Sequence, residues 1–247
     1  RGRGFVRKPT DVKFIDNRLY VNDSNNYLIQ AYTSEFEFMF QFGGKGAATG
    51  EFDLVSTLCA HQMALYICDR NNDRILRYRP ERAGIETLVA PGFIPGVLRR
   101  PCGAAVDQHD RIYVADRDND CLQVFTVDGR ILDTVRGVSR PTAIALTADS
   151  PAMHWVVERG RHQLSLLKPS GERIQSIRSA ARGIYLTNPH DIAMDAHGRI
   201  IVADSGNRAL KQFNRTGDHL AIIDMAKLSG NPSVQILSVC TTPDGSI

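Results

Sequence analysis

Apolar and polar residues alternate along this chain in short runs, with clusters of turn-forming residues between them. Runs such as "RIYVAD", "LQVF" and "RIQSI" have period two, the spacing that gives an extended strand two distinct faces. Long stretches with apolar residues at helical spacing are absent, so the pattern predicts strands from end to end.

The runs recur in a fixed order. A strand headed by Pro or Thr ("PTDVKFI", "PCGAAVD", "PTAIALT", "PHDIAMD") leads through a turn such as "DAHG" or "QHDR" into an alternating strand that ends in an acid. A polar turn, a second alternating strand, a "DG" or "SG" turn and a last apolar run follow. We designate these strands a, b, c and d. The acid closing strand b falls at Asp23, Asp69, Asp116, Glu158 and Asp204, at spacings of 46, 47, 42 and 46. Four short strands repeating at that length describe a propeller blade: one such sheet leaves both faces uncovered, whereas stacking sheets about an axis buries them.

Five repeats are clear, at approximately 8–43, 52–90, 101–137, 141–179 and 189–224. A sixth opens at "PSVQILSVCTTPDGSI" (232–247), where "DGSI" matches "HGRI" at 197–200. Residues 1–7, with "RGRGFV", are available as the d strand of that blade. The expectation is an all-β, six-bladed β-propeller of four-stranded antiparallel blades, its last blade incomplete in this chain, forming a single domain over 1–247. The chain reads as a piece of something longer.

At 247 residues and 43% apolar content the chain is large enough for one sizeable core. No stretch approaches the roughly 20 apolar residues of a membrane helix, and the basic start lacks the apolar segment of a signal peptide, so no membrane partner is expected. The five cysteines form no CxxC pair and are odd in number, which suggests neither a zinc module nor a full disulfide set. A reducing, cytoplasmic setting is expected, with the thiols as small apolar groups.

Residues 189–213, "PHDIAMDAHGRIIVADSGNRALKQF", and 101–125, "PCGAAVDQHDRIYVADRDNDCLQVF", resemble the NHL repeat. Blade four departs from it, with "VVERGRHQL" lacking the Asn, and blade two has "LVSTLCAHQM" in place of a Pro-headed strand. Within that family the chain resembles the propellers that end tripartite-motif NHL proteins. The resemblance implies a non-enzymatic domain that binds single-stranded RNA or protein partners, often in messenger RNA repression. A ubiquitin-ligase RING would lie upstream, and this chain contains no RING-like cysteine pattern.

In a meander blade the d–a and b–c connections emerge at one end, and the a–b and c–d turns at the other. Divided in this way, the d–a/b–c end carries seven more Lys and Arg than Asp and Glu, the opposite end four fewer, and the two account for the net +3. A basic surface attracts phosphates through counterion release, with affinity falling as salt rises. Its candidate cations are Lys8, Arg70, Arg74, Arg99, Arg100, Arg117, Arg140, Arg159, Arg161 and Arg208. Groups able to stack on bases or bond their edges are Tyr27, His162, His190, Asn25, Asn72, Asn119, Asn188, Asn207 and Asn231. Tyr27 is the one full-sized ring in that set, so guanidinium planes would supplement its stacking. DNA is not an expected partner, and no cofactor is implied.

A structural role competes with each of these. The strand-b acid is expected to accept backbone N–H bonds in the turn that follows it, as scaffold rather than catalyst. Arg74 and Arg208 could fold back onto Asp69 and Asp204 as readily as reach a ligand, whereas Arg70, Arg117 and Arg159, directly after the acid, are expected to point outward. The Gly and Asn of "DSGN" and "NND" are expected to supply positive φ. Trp155, Tyr32, Tyr78, Phe125 and Phe213 are expected to pack between blades.

Amidating lyases of peptide-hormone processing share this repeat and, by resemblance, hold zinc with several His at strand-a entrances. Here His190 is matched by Thr10, Cys102, Thr142 and Ser233, one candidate ligand where catalytic zinc requires three. No Ser–His–Asp, P-loop or GxGxxG context is present. The expected function is single-stranded RNA binding through the d–a/b–c end, in a post-transcriptional regulator. The alternatives are a platform for an acidic protein partner on the same surface and, remotely, a zinc-dependent amidating lyase.

Overall fold

The computed structural model describes residues 5–92, 97–149, 151–180 and 184–240. Blade one consists of β1 (Pro9–Ile15), β2 (Arg18–Asp23), β3 (Leu28–Thr33) and β4 (Phe38–Gly43). Blade two consists of β5 (Val55–His61), β6 (Ala64–Asp69), β7 (Arg74–Arg79) and β8 (Gly84–Val89). Blade three consists of β9 (Pro101–Val106), β10 (Arg111–Asp116), β11 (Cys121–Thr126) and β12 (Ile131–Arg136). Blade four consists of β13 (Pro141–Leu146), β14 (His154–Glu158), β15 (Gln163–Leu167) and β16 (Arg173–Ile177). A short hairpin, β17 (Ser179–Ala180) with β18 (Ile184–Tyr185), precedes blade five: β19 (Pro189–Met194), β20 (Ile200–Asp204), β21 (Ala209–Phe213) and β22 (His219–Asp224). A helical turn, α1 (Met225–Ser229), follows.

Each blade is a four-stranded sheet with its strands in chain order, as tight turns between consecutive antiparallel strands require. The alternation read from the sequence belongs mainly to the outer strand: β22 alternates between partly buried and exposed positions, whereas β6 is buried throughout. Two compact units are distinguished, residues 1–119 with 123–134, and residues 120–122 with 135–247. In the first, Tyr20 of blade one meets Tyr78 of blade two edge-on at 6.0 Å, inside a cluster with Ile29, Leu58 and Leu76. In the second, Trp155 of blade four shares a core with Ile200, Val202 and Phe213 of blade five. Phe125 is buried as well, but Tyr32 is only half-buried and sits edge-on to Phe38 of its own blade.

The described residues form five blades, not six. Of the residues assigned to a sixth, 5–7 form no strand; the backbone N–H groups of Arg7 and Lys8 donate to the Asp23 carboxylate instead. Residues 232–240 also form no strand, and 1–4 and 241–247, including "DGSI", lie outside the described residues. Among the described residues no b strand lies beside this a-type run to supply a ladder. It is instead pinned to blade five. Asp191 accepts from Ser238 Oγ at 2.7 Å and from the Val239 N–H at 2.9 Å, and Ile236 and Val239 bury themselves against Ile201 and Leu210. Asp11 holds Thr57 and Leu58 of β5 in the same way, at 2.8 and 2.6 Å. The match places Ile236, rather than Pro232, where Val55 opens β5. Leu237, not Ser233, therefore corresponds to His190.

Candidate nucleic-acid interface

All five strand-b acids are fully buried. In blades two, four and five the carboxylates do not cap the 3-10 turns that follow them. They reach back to the d–a loop entering their own blade. Asp69 accepts the Asp53 N–H at 2.8 Å, Asp116 that of Arg99 at 2.7 Å, Glu158 that of Ser139 at 2.8 Å and Asp204 that of Thr187 at 2.7 Å. A further bond comes from an amide three residues after the acid: Asn26, Asn72, Asn119 and Asn207, at 2.6 to 2.8 Å. In blade four Arg161 takes that place, at 2.7 Å. The backbone closes the same junction, with the N–H groups of Ser24, Arg70, Asp118, Gly160 and Gly206 donating to carbonyls of Lys8, Leu54, Arg99, Ser139 and Thr187. Each b–c turn is thus stapled to its d–a loop, which brings together the two loop classes that carry the basic residues.

Positive φ falls one residue later than the sequence suggests, on Tyr27, Asp73, Asp120, His162 and Arg208 rather than on the preceding Gly or Asn. Gly206 is needed for close approach: a Cβ there would lie 2.4 Å from the Thr187 carbonyl oxygen. At the left-handed positions Asp73, Asp120 and His162 accept the N–H of the residue preceding the next blade's Pro, namely Arg100 at 2.8 Å, Arg140 at 2.6 Å and Asn188 at 2.9 Å. Arg208 occupies the equivalent place in blade five, and a guanidinium has no acceptor to offer.

Several sequence candidates are committed to the scaffold. Arg74 is 5% exposed, with Nε 2.8 Å from Asp69 and its Nη groups on the carbonyls of Ala47, Ala48 and Glu51. Arg161 joins Glu158 to the Gly137 carbonyl. Asn72, Asn119 and Asn207 also bond the carbonyls of Gly46, Val97 and Tyr185. Arg117 is buried, 3.8 Å from Asp118, rather than pointing outward. Arg70 is half-buried, and Tyr27 is half-buried beneath the Lys45 ammonium, 5.4 Å from its ring centroid. Asn231 Oδ1 accepts the Ser233 N–H. Lys8, Asn25, Arg99, Arg100, Arg140, His162 and Arg208 are exposed.

Two concavities, one in each unit, gather some of the remaining candidates, whereas Lys8, Asn25, Arg140 and His162 line neither. In the first unit, about 580 Å³ is lined by Asn71, Asp73, Arg99, Arg100 and Asp118, a mixture of charges in which Arg100 Nε lies 3.6 Å from Asp118. In the second, about 510 Å³ is lined by Arg159, Asn188, His190, Arg208, Ser233 and Gln235 among others, with no carboxylate in the lining. Arg159 Nε donates to Asn188 Oδ1, which fixes the guanidinium at the rim. The unit's strand-b acids are neutralised inward: Glu158 pairs with Arg161 and Arg173 at 2.7 Å each, and Asp204 with the buried Lys211 at 2.6 Å. Burial would push the Glu158 carboxyl up, yet hydrogen bonds from Ser165, Gln163 and Arg173 hold it below its ordinary range. One residue absent from the sequence candidates is Tyr185, 61% exposed in the d–a connection between blades four and five; its aromatic character within that loop class was the available signal.

Among the described residues no helix is long and apolar enough to cross a membrane, and no group of three or more His, Cys, Asp or Glu is placed to hold a metal ion. Residues 98–125 and 186–213 match the family model described as NHL repeat. The chain is 24% identical over 136 residues to protein brain tumor of Drosophila melanogaster, covering 52% of this chain and 13% of that protein. It is 28% identical over 122 residues to protein SUPPRESSOR OF QUENCHING 1, chloroplastic, of Arabidopsis thaliana, covering 43% and 12%. It therefore spans about an eighth of the length of these curated relatives. Among solved structures, a chain of the nidogen/laminin complex superposes with a TM-score of 0.73 at 15% identity, covering 94% of this chain and 84% of that one. Streptogramin B lyase superposes with a TM-score of 0.69 at 14% identity, covering 95% and 73%. At such identities these likenesses concern the fold alone.

Proposed function

We propose that this chain, an NHL-repeat β-propeller, is a non-enzymatic domain that binds single-stranded RNA through its d–a and b–c loops, within a cytoplasmic post-transcriptional regulator. The observation that carries the reading is the concavity of the second unit, where Arg159, Arg208 and His190 converge with the polar groups of Asn188, Ser233 and Gln235 and no carboxylate intervenes. Guanidinium groups suit phosphodiester oxygens, which they bond in a bidentate manner. Amide and imidazole groups beside them suit the edges of unpaired bases. The resemblance to tripartite-motif NHL propellers supports the same reading.

Titration of labelled single-stranded RNA at several salt concentrations tests it. Affinity is expected to fall with salt. Arg159→Glu combined with Arg208→Glu is expected to weaken binding more than about tenfold and to flatten the logarithmic salt slope by about 1.4, the change for two lost phosphate contacts on a single strand. Arg74→Ala serves as the control, lowering the melting temperature while leaving the affinity of the folded protein unchanged, because Arg74 is tied to Asp69 and three carbonyls. Affinity no stronger than that of an acidic control protein, or no salt slope, overturns the proposal. Negligible RNA binding together with a partner protein retained after nuclease treatment would replace it with a protein-interaction role.

A further inference from the structure

Tyr185 ends β18 in the connection between blades four and five, with its side chain 61% exposed. Alternation accounts for the direction: the next residue, Leu186, turns inward and is buried with Ile192 and Ile200. It does not account for an aromatic ring, since any polar residue would satisfy an outward position.

The backbone beneath that ring is held at several points. The Tyr185 carbonyl accepts Asn207 Nδ2 at 2.7 Å and also the Lys211 ammonium, which is 4% exposed and shared with Asp204. The Leu186 N–H donates to the Arg178 carbonyl. Asn207 stands between Gly206 and Arg208, both of which line the carboxylate-free concavity, and Asn188 lines it three residues beyond Tyr185. The same acid-centred staple therefore carries both the exposed ring and the concavity's cation. A ring on a fixed backbone loses little conformational freedom when a flat ligand settles on it, which favours stacking.

We infer that Tyr185 is a stacking platform for an unpaired base of the RNA strand whose phosphates are held at Arg159 and Arg208. The inference rests on the RNA reading and narrows its ligand to a strand with a free base face. A duplex keeps its bases stacked on one another and presents none, and a bare sugar-phosphate backbone has none to present.

The test uses the whole chain and its Tyr185→Ala and Tyr185→Phe variants. Each is titrated with single-stranded RNA, a duplex and an abasic strand of equal phosphate number. Tyr185→Ala is expected to weaken single-stranded RNA binding about five- to one-hundred-fold with the salt slope unchanged, because stacking releases no counterions. Tyr185→Phe, which keeps the ring, is expected to bind like the wild type, and the abasic strand is expected to bind all three proteins alike. An unaltered melting temperature for Tyr185→Ala checks that folding is intact. Equal affinity of Tyr185→Ala and wild type for single-stranded RNA, with the wild type still showing a salt slope, overturns the inference and leaves the RNA reading standing. Absence of salt-dependent binding by the wild type to all three ligands removes both.

Discussion

At Glu158 a longer acid replaces the Asp of the other four blades, and its neighbours differ with it. The Asn three residues on is replaced by Arg161, and Arg173 approaches from β16. The Ser165, Gln163 and Arg173 donors and the charge of Arg173 overcome burial, so the carboxyl sits below its ordinary range. At Asp116 burial outweighs the donors Asn119, the Arg99 N–H and Gln123, and the carboxyl is raised. The two residues consequently act on stability with opposite sign. Glu158 contributes stability that is present above its ordinary pKa, about 4.3, and lost as pH falls through its lowered value. Asp116 contributes stability below its ordinary pKa that is lost as pH rises through its raised value. Arg173→Met is expected to lower the melting temperature at neutral pH and to make it less sensitive to acidification below about pH 5; melts followed by circular dichroism would show this, and parallel curves for variant and wild type would refute it. That the acids are scaffold was legible from their repetition. Their bonding direction was not, because the donors lie 15 to 19 residues upstream, beyond any local pattern.

Among elements, the junction of b–c turn and d–a loop recurs in all five blades and places the basic residues side by side. Strand order, the polar turns and the contribution of two loop classes to one end could be read from period-two alternation and the repeat. The last a-type run was read four residues too early, because Pro heads β9, β13 and β19 while β5 opens on Val55. What identifies the true start is the side chain of Asp191, which grips Ser238 and Val239 as Asp11 grips Thr57 and Leu58. Asp191→Ala is expected to accelerate hydrogen exchange at the Val239 amide while leaving the amides of β20 protected, since the ladder of blade five does not depend on that carboxylate. Unchanged protection at Val239 would show that apolar contacts at Ile236 and Val239 alone hold the segment.

For the whole molecule, the charge division read from the sequence groups cations by loop class but counts each one equally. The structure separates them. Arg74 and Arg161 neutralise buried acids, Arg99 and Arg100 share their concavity with Asp73 and Asp118, and Arg159 and Arg208 line one without a carboxylate. Arg99→Glu with Arg100→Glu is accordingly expected to weaken RNA binding less than Arg159→Glu with Arg208→Glu, measured at one salt concentration. Equal losses would mean that both concavities hold phosphate to the same extent. The sequence by itself determined the all-β class, the four-strand repeat and the acid that anchors each blade, because these are written in residues close together along the chain or recurring at one period. Only the tertiary structure decided that the described residues form five four-stranded sheets, that the acids bond backward, and which arginines are left at the surface. Those outcomes depend on whether a strand finds a ladder and whether carbonyls and carboxylates from distant segments reach a given side chain, and neither is encoded in its covalent neighbours.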